Sequence, residues 1–188
     1  MKFREIGRTG IQVSEIGFGC GGNAGLMLNV SPSERRSVIA RAIELGMNYF
    51  DNAPDYGDGL AEENLGADLK ALGQRPLITS KVEVRAANLA DIAAHVVWST
   101  EQSLRRLQVD CLDFLQIHNG PSRAPVHLEG KVYTQLHSDD FLQPGGAIEG
   151  LQRVLREGKA RHLGFICRGN DAAEVRELID TEIGRAHV

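Results

Sequence analysis

"DNAPDYGDGLAEENLG", Asp51 to Gly66, is the stretch on which the reading of this chain turns. It follows a short apolar run, Met47 to Phe50, and precedes a segment with helical spacing. An aspartate stands where a buried strand would end. Tyr56, Gly57 and Gly59 occupy the turn that follows. Polar and turn-forming residues suit any loop, but nothing in a general loop calls for that tyrosine. The units on either side supply the reason.

Upstream, "KFREIGRTGIQVSEIGFGCGG" predicts a β-hairpin turning near Arg8 to Gly10, then a strand that ends in glycines. Ser31, Pro32 and Glu34 predict a helix start with an N-cap, a first-turn proline and a capping-box acid. Val38, Ile39, Ala42 and Leu45 form the predicted apolar face, and Gly46 the stop. Downstream, "AEENLGADLKALG" predicts a helix with Leu65, Leu69 and Leu72 inward, and "PLITSKV" a strand. "LADIAAHVVWSTEQSLRRLQ" predicts a longer helix with Ile92, Val96, Val97, Leu104 and Leu107 inward, and "CLDFLQIHN" a strand. Residues 120–146, rich in Pro, Gly and Asp, look like an inserted loop. "AIEGLQRVLREGK" then reads as a helix with Ile148, Leu151, Val154 and Leu155 inward, "ARHLGFI" as a strand and "DAAEVRELID" as a helix.

Strand and helix thus alternate about five times, the signature of a parallel α/β sheet. The strands are mostly apolar, as strands buried on both faces are. Two closures compete: an open doubly wound sheet, or the front of a (β/α)₈ barrel. A dinucleotide-binding open sheet carries G-x-G-x-x-G directly opening a helix. "GFGCGGNAG" holds a G-x-G, but several residues separate it from Ser31, so it argues weakly.

Composition narrows the function. The chain has 188 residues, a size that fits one domain, and a formal net charge of -4. That charge disfavours a nucleic-acid partner, which needs a basic face. No apolar run approaches the roughly 20 residues that span a bilayer, and the charged start "MKFREIGRTG" is not a signal peptide. Cys20, Cys111 and Cys167 are scattered, as in a reducing compartment. A cytoplasmic location, away from membranes, is expected. The sequence leaves the oligomeric state open.

Three successive predicted strands end in a chemically capable side chain: Asp51, Lys81 and His118, with Tyr56 in the loop after the first. In a parallel barrel all carboxyl strand ends face one rim, where active sites are built. Taken singly, each has an ordinary explanation as a turn, packing, solvated or hydrogen-bonded residue. Their placement at consecutive strand ends favours a shared function.

The motifs resemble those of the aldo-keto reductases. "DNAPDYGDGLAEENLG" is similar to that family's D-T-A-x-x-Y-G-x-G-x-S-E-x-x-L-G, with Asn52 for threonine and Ala61 for serine. "SLRRLQVDCLDFLQIH" resembles S-L-x-x-L-x-x-D-Y-x-D-L-x-x-x-H, with Cys111 for tyrosine, and "ITSKV" the lysine strand. The resemblance runs in order to about Asp180 and implies an α/β fold: a (β/α)₈ TIM barrel with an N-terminal β-hairpin, of which about the first five βα units are present. It implies an NAD(P)H-dependent oxidoreductase that reduces aldehyde, ketone or sugar carbonyls, with NADP(H) expected in preference to NAD(H). By resemblance Tyr56 is the general acid, Asp51 and Lys81 tune it, and His118 orients the carbonyl. Gly21, Gly22, Asp51 and Lys81 are expected at the cofactor, and no metal is expected.

Physical chemistry supports those roles. An ordinary phenol, with a pKa of about 10, is a poor acid at neutral pH. An ammonium about 4 Å away at an effective dielectric near 20 is worth roughly 4 kcal/mol to the phenolate. That is a lowering of up to about 3 pKa units. The alternative is a non-catalytic cofactor-sensing or interaction subunit of the same fold.

The sequence departs from the family pattern at two places. Where the family's fifth strand ends in hydroxyl and amide groups that meet the nicotinamide, this chain reads Ile166, Cys167 and Arg168. The insert holds His127, His137, Asp139 and Asp140, whose spacing fits no standard metal site and is read as a solvated loop shaping the substrate pocket. Trp98 is expected to pack. The ending "IGRAHV", Ile183 to Val188, reads as a translated sequencing adapter, ATC GGA AGA GCA CAC GTC, whose next triplet is a stop. The expectation is therefore a partial barrel over 1–182, a foreign tail over 183–188, and no activity in this chain by itself.

Overall fold

The computed structural model describes residues 1–21, 25–123, 126–128, 131–167 and 171–180. Gly22, Arg168 and the tail 183–188, each named above, lie outside the described residues. The strands are β1 (Phe3–Glu5), β2 (Gln12–Ser14), β3 (Phe18–Gly19), β4 (Tyr49–Asp51), β5 (Leu77–Val82), β6 (Leu112–Ile117), β7 (Val126–Leu128), β8 (Lys131–Tyr133) and β9 (Ala160–Phe165). The helices are α1 (Leu26–Asn29), α2 (Pro32–Glu44), α3 (Leu60–Leu72), α4 (Ile92–Leu107), α5 (Ser138–Leu142), α6 (Ala147–Arg156) and α7 (Ala172–Leu178). A 3₁₀ turn spans Ala86–Asn88.

The fold is α/β. β1 and β2 form the expected antiparallel hairpin. The five-stranded parallel sheet has the order β3-β4-β5-β6-β9. Chain contacts divide the molecule into two compact units: Met1–Ser80 with Gln102–Asp113, and Lys81–Glu101 with Phe114 onward.

In the first unit β3 pairs with β4 and β4 with β5, both parallel. Phe18 and Phe50 stack with ring centroids 4.9 Å apart, and Phe50 is fully buried. Burial of one such side chain is worth about 1.5–3 kcal/mol relative to exposure. Ser31 caps α2 by accepting a hydrogen bond from the Glu34 N–H at 3.3 Å, as its sequence predicts. The face of α2 differs from expectation. Ile39 and Ala42 are buried, but Val38 and Leu45 are exposed, and Arg35 is buried instead. Arg35 reaches the fully buried Asp68 of α3 at 2.6 Å, and Arg36 reaches its other oxygen at 3.2 Å. The packing of α2 on α3 is therefore partly ionic, which an apolar periodicity cannot reveal. Gly66 has a simpler reason: a Cβ there would meet the backbone at Arg106 and Leu107 at 2.6 Å.

In the second unit α6 buries Ala147, Gly150, Leu151 and Val154, while Ile148 and Leu155 are half-buried. Gly150 allows the close approach, because a Cβ would lie 2.7 Å from Val96 Cβ and 2.8 Å from the Ala93 carbonyl. The segment read as a loop, 120–146, has structure of its own: β7 and β8 form an antiparallel hairpin, and α5 follows. Leu136 and Phe141 are fully buried. Trp98 does not pack as expected: it is 57% exposed and stacks on His95, 5.8 Å between centroids. Among the described residues no helix is long and apolar enough to cross a membrane.

Candidate active site

The residues singled out by sequence fall at the carboxyl ends of strands. Asp51 is the last residue of β4, Lys81 the penultimate residue of β5, and His118 the first after β6. Asp51 and Tyr56 belong to the first unit, Lys81 and His118 to the second.

In the first unit, backbone pairing sets Asp51. It stands opposite Gly19, and the Cys20 N–H donates to its carbonyl at 2.8 Å. The next residue, Asn52, is fully buried and closes the turn that carries Tyr56. Its N–H donates to the Thr79 carbonyl at 2.9 Å, its Nδ2 donates to the Ala61 carbonyl at 3.1 Å, and its Oδ1 accepts from the Ala53 N–H at 2.9 Å. A threonine would have to make both side-chain bonds from a single hydroxyl oxygen, where the carboxamide uses two separate atoms. The Tyr56 N–H donates to the Ala53 carbonyl, and the Tyr56 carbonyl accepts from the Ala61 N–H, each at 3.2 Å. Gly57, Asp58 and Gly59 then take three successive positive φ angles, 64°, 50° and 93°. At Gly57 a Cβ would also strike Leu28 Cδ2 at 2.5 Å, and at Gly59 Arg106 Cδ at 2.7 Å. That answers why the stretch is glycine-rich: the turn doubles back in left-handed geometry against packed neighbours.

Tyr56 is half-buried, and its ring lies beside Gly21, where a Cβ would sit 3.8 Å from Cε2 and Cζ. A Cβ on Gly19 would meet nothing within 4 Å. On β4 itself, burial pushes the Tyr49 phenol pKa above its ordinary value, with the Thr79 hydrogen bond opposing the rise and Asp51 adding to it.

A group missed by the sequence reading underlies this turn. Glu62, fully buried in the first turn of α3, accepts from Ser80 Oγ at 2.5 Å and from Arg106 Nε at 2.7 Å. Arg106 also reaches Ser103 Oγ at 3.4 Å. The only signal was the acid of "AEENLG" and the arginine of "SLRRLQ", which look like ordinary surface charges.

In the second unit Lys81 is 4% exposed and His118 1%. The His118 N–H donates to the Val82 carbonyl at 2.7 Å, so the strand pairing sets His118 one residue from Lys81. The Ile166 N–H donates to the Ile117 carbonyl at 2.9 Å, which ties the end of β9 into the same ladder. In the insert, His137 and Asp140 form a capping box on α5, with the His137 N–H donating to Asp140 Oδ2 at 2.8 Å. Among the described residues no group of three or more His, Cys, Asp or Glu is arranged to hold a metal ion. Cys20, near the strand ends, is fully buried.

Parallel βα units with polar side chains at consecutive carboxyl strand ends are the arrangement expected of an α/β scaffold of barrel type. The comparison with known proteins is specific. The profile of the Aldo/keto reductase family matches residues 15–185, and the chain belongs to that family. L-galactose dehydrogenase of Arabidopsis thaliana is 32% identical over 169 residues, which is 88% of this chain and 48% of that protein. A second Arabidopsis thaliana relative, named as a probable voltage-gated potassium channel subunit beta, is 32% identical over 67% of this chain and 40% of its own length. A crystal structure of an aldo/keto reductase from Klebsiella pneumoniae in complex with NADP and acetate has a TM-score of 0.64 at 27% identity, over 89% of this chain and 50% of that one. The chain spans about half the length of the relatives it matches.

Proposed function

We propose that the protein carrying this chain reduces a small carbonyl compound, an aldehyde, ketone or sugar, at the expense of NADP(H). The observation that carries the reading is Tyr56. It sits beside the side-chain-free strand end at Gly19 and Gly21, on a turn built of three left-handed residues. That bare strip suits a flat heteroaromatic ring, and the family includes an NADP complex among its solved structures. When bound, the nicotinamide cofactor supplies the hydride. Tyr56 supplies the proton to the carbonyl oxygen as charge develops there. Lys81 lowers the phenol pKa electrostatically, and Asp51 holds Lys81 while partly offsetting its field. His118 orients the carbonyl by a hydrogen bond. Gly21, Gly22, Asp51 and Lys81 are proposed at the cofactor.

The non-catalytic subunit reading is not favoured. The channel-subunit relative matches a shorter stretch than the dehydrogenase, and a subunit that only senses the cofactor would use Asp51 and Lys81 but has no need of a proton donor and a carbonyl-orienting group such as Tyr56 and His118. The test is a pair of variants in the full-length protein. Tyr56→Phe abolishes aldehyde reduction and leaves NADPH binding by fluorescence titration nearly unchanged, because only the proton donor is lost. Lys81→Met slows reduction and moves its pH profile. Near wild-type kcat in Tyr56→Phe would refute the assignment of the acid.

A further inference from the structure

Asn119 directly follows His118 and is 2% exposed. Its amide is heavily committed. Oδ1 accepts from the Val84 N–H at 2.8 Å, and Nδ2 donates to the Val84 carbonyl at 2.8 Å and to the Thr134 carbonyl at 3.0 Å. A carboxamide has two N–H donors, and both are used here. Pairing with both backbone groups of Val84 is what one residue of an antiparallel strand does. The side chain thus adds a further tie between the two segments one step past His118, whose own N–H holds Val82. The second donor reaches Thr134, at the foot of the β7–β8 hairpin. Just beyond, the Ser122 N–H donates to the Leu136 carbonyl at 2.8 Å, and Pro121 bridges Leu136.

We propose that Asn119 is a positioning residue with two tasks: it holds the His118 backbone in place at the end of β6, and it hangs the 120–142 insert from the same point. The near end of the insert is then held to the segment that carries His118 by this side chain, beside the backbone tie of Ser122 to Leu136. The inference rests on the reading of His118 as the carbonyl-orienting group. The carboxamide is chemically required. A carboxylate keeps the acceptor for Val84 N–H but turns a negative oxygen toward two carbonyls, and an alanine loses all three bonds.

The test uses Asn119→Asp and Asn119→Ala in the full-length protein, each compared with wild type at every pH. In Asn119→Asp, kcat/KM for an aldehyde falls about tenfold at neutral pH, because two buried carbonyls lose their donor and face a negative oxygen, which displaces the His118 segment. The facing carbonyls raise the pKa of the new carboxyl, so protonation restores one donor. The ratio to wild type therefore recovers as pH is lowered toward 5. Asn119→Ala shows a comparable loss that no pH restores. Independently of turnover, amide exchange at Ser122, relative to wild type at the same pH, is faster in both variants and slows again in Asn119→Asp at low pH. Unchanged exchange at Ser122 overturns the proposal. So does faster exchange with a pH-independent kcat/KM ratio in Asn119→Asp, which reduces Asn119 to a structural tie. Wild-type protein without any reductase activity overturns the functional reading instead, and the exchange at Ser122 still decides whether Asn119 holds the insert.

Discussion

The connection from β4 to α3, residues 52–59, and the connection from β6 to α6, residues 118–146, each begin beside a residue proposed for catalysis, yet different forces hold them. The first is short and is shaped by its backbone. Three consecutive positive φ angles fold it, and missing Cβ atoms at Gly57 and Gly59 let it lie against Leu28 and Arg106. Below it runs a buried ion pair, Glu62 with Arg106. The second connection is long and has its own hairpin, helix and apolar plugs, with Phe141 edge-on to Phe165 at 6.1 Å. It is fastened by side chains: Asn119 at its foot, and a cluster in which Ser138 donates from N–H and hydroxyl to Glu174 and Glu177. A turn held by backbone geometry tolerates few sequences. A long insert with its own hairpin, helix and apolar plugs, fastened at a few points such as Asn119, tolerates more change between those points.

The sharpest way to break that contrast is to attack the ion pair beneath the first turn. Arg106→Met strips the guanidinium from Glu62 and leaves a fully buried carboxylate facing the Ser80 hydroxyl without its counter-charge. Removing one partner of a buried pair costs about 3–5 kcal/mol. Urea denaturation of the full-length protein measures the loss, and a cost under about 1 kcal/mol would show the pair to be incidental to stability.

A smaller effect separates strain from clash. Gly59→Ala forces an alanine to φ 93° and drives its Cβ to 2.7 Å from Arg106 Cδ. Arg106 is anchored by Glu62, so it yields poorly. The expected cost is about 1–3 kcal/mol, the range for strained backbone. Gly73→Ala is the control: its φ is 64°, but a Cβ would meet nothing within 4 Å, so it incurs strain alone. Equal losses in the two variants would mean that Arg106 exerts no steric hold on the turn.

The same contrast explains what could be read from the sequence. Gly57 and Gly59 were legible because backbone geometry imposes residue types: an αL position asks for glycine. The position of Asp51 was legible because a strand end announces itself by the close of an apolar run, whereas Tyr56 was singled out only by the family motif. Ser31 at the head of α2 and Gly73 at the end of α3 were legible through backbone geometry, as the turn glycines were. The insert was not. Its strands β7 and β8 are three residues each and lie in a segment rich in Pro, Gly and Asp, whose composition reads as loop. The role of Asn119 depends on Val84, 35 residues away. Long-range polar pairing also misled the reading of α2, where Arg35 turned inward to Asp68 while Val38 stayed outside. Hydrophobic spacing reports burial through apolar residues only, so buried ion pairs are invisible to it.

The smallest predicted effect tests the outer fastening of the insert through pH. Glu174 is 5% exposed and holds its carboxyl below the ordinary carboxylate value, first through the hydrogen bond from Arg123 at 2.8 Å, then through the Ser138 N–H at 2.7 Å. Arg123 is largely exposed, so solvent and salt screen part of this interaction. The direction of the pH effect is fixed by linkage. A carboxyl whose folded pKa is depressed stabilises the fold above its unfolded value, near 4.5, and loses that contribution as pH falls through the lowered folded value. The Tm difference between wild type and Glu174→Gln should therefore be positive and level from neutral pH down to about 5, then shrink below 4.5 as Glu174 is protonated. Added salt should narrow the difference at neutral pH, since the Arg123 part is screened while the Ser138 bond is not. A difference that grew on acidification would reverse the sign and place Glu174 in a site that favours its protonated form. The insert would then be fastened by a neutral carboxyl rather than by an ion pair, and its grip would tighten in acid instead of loosening.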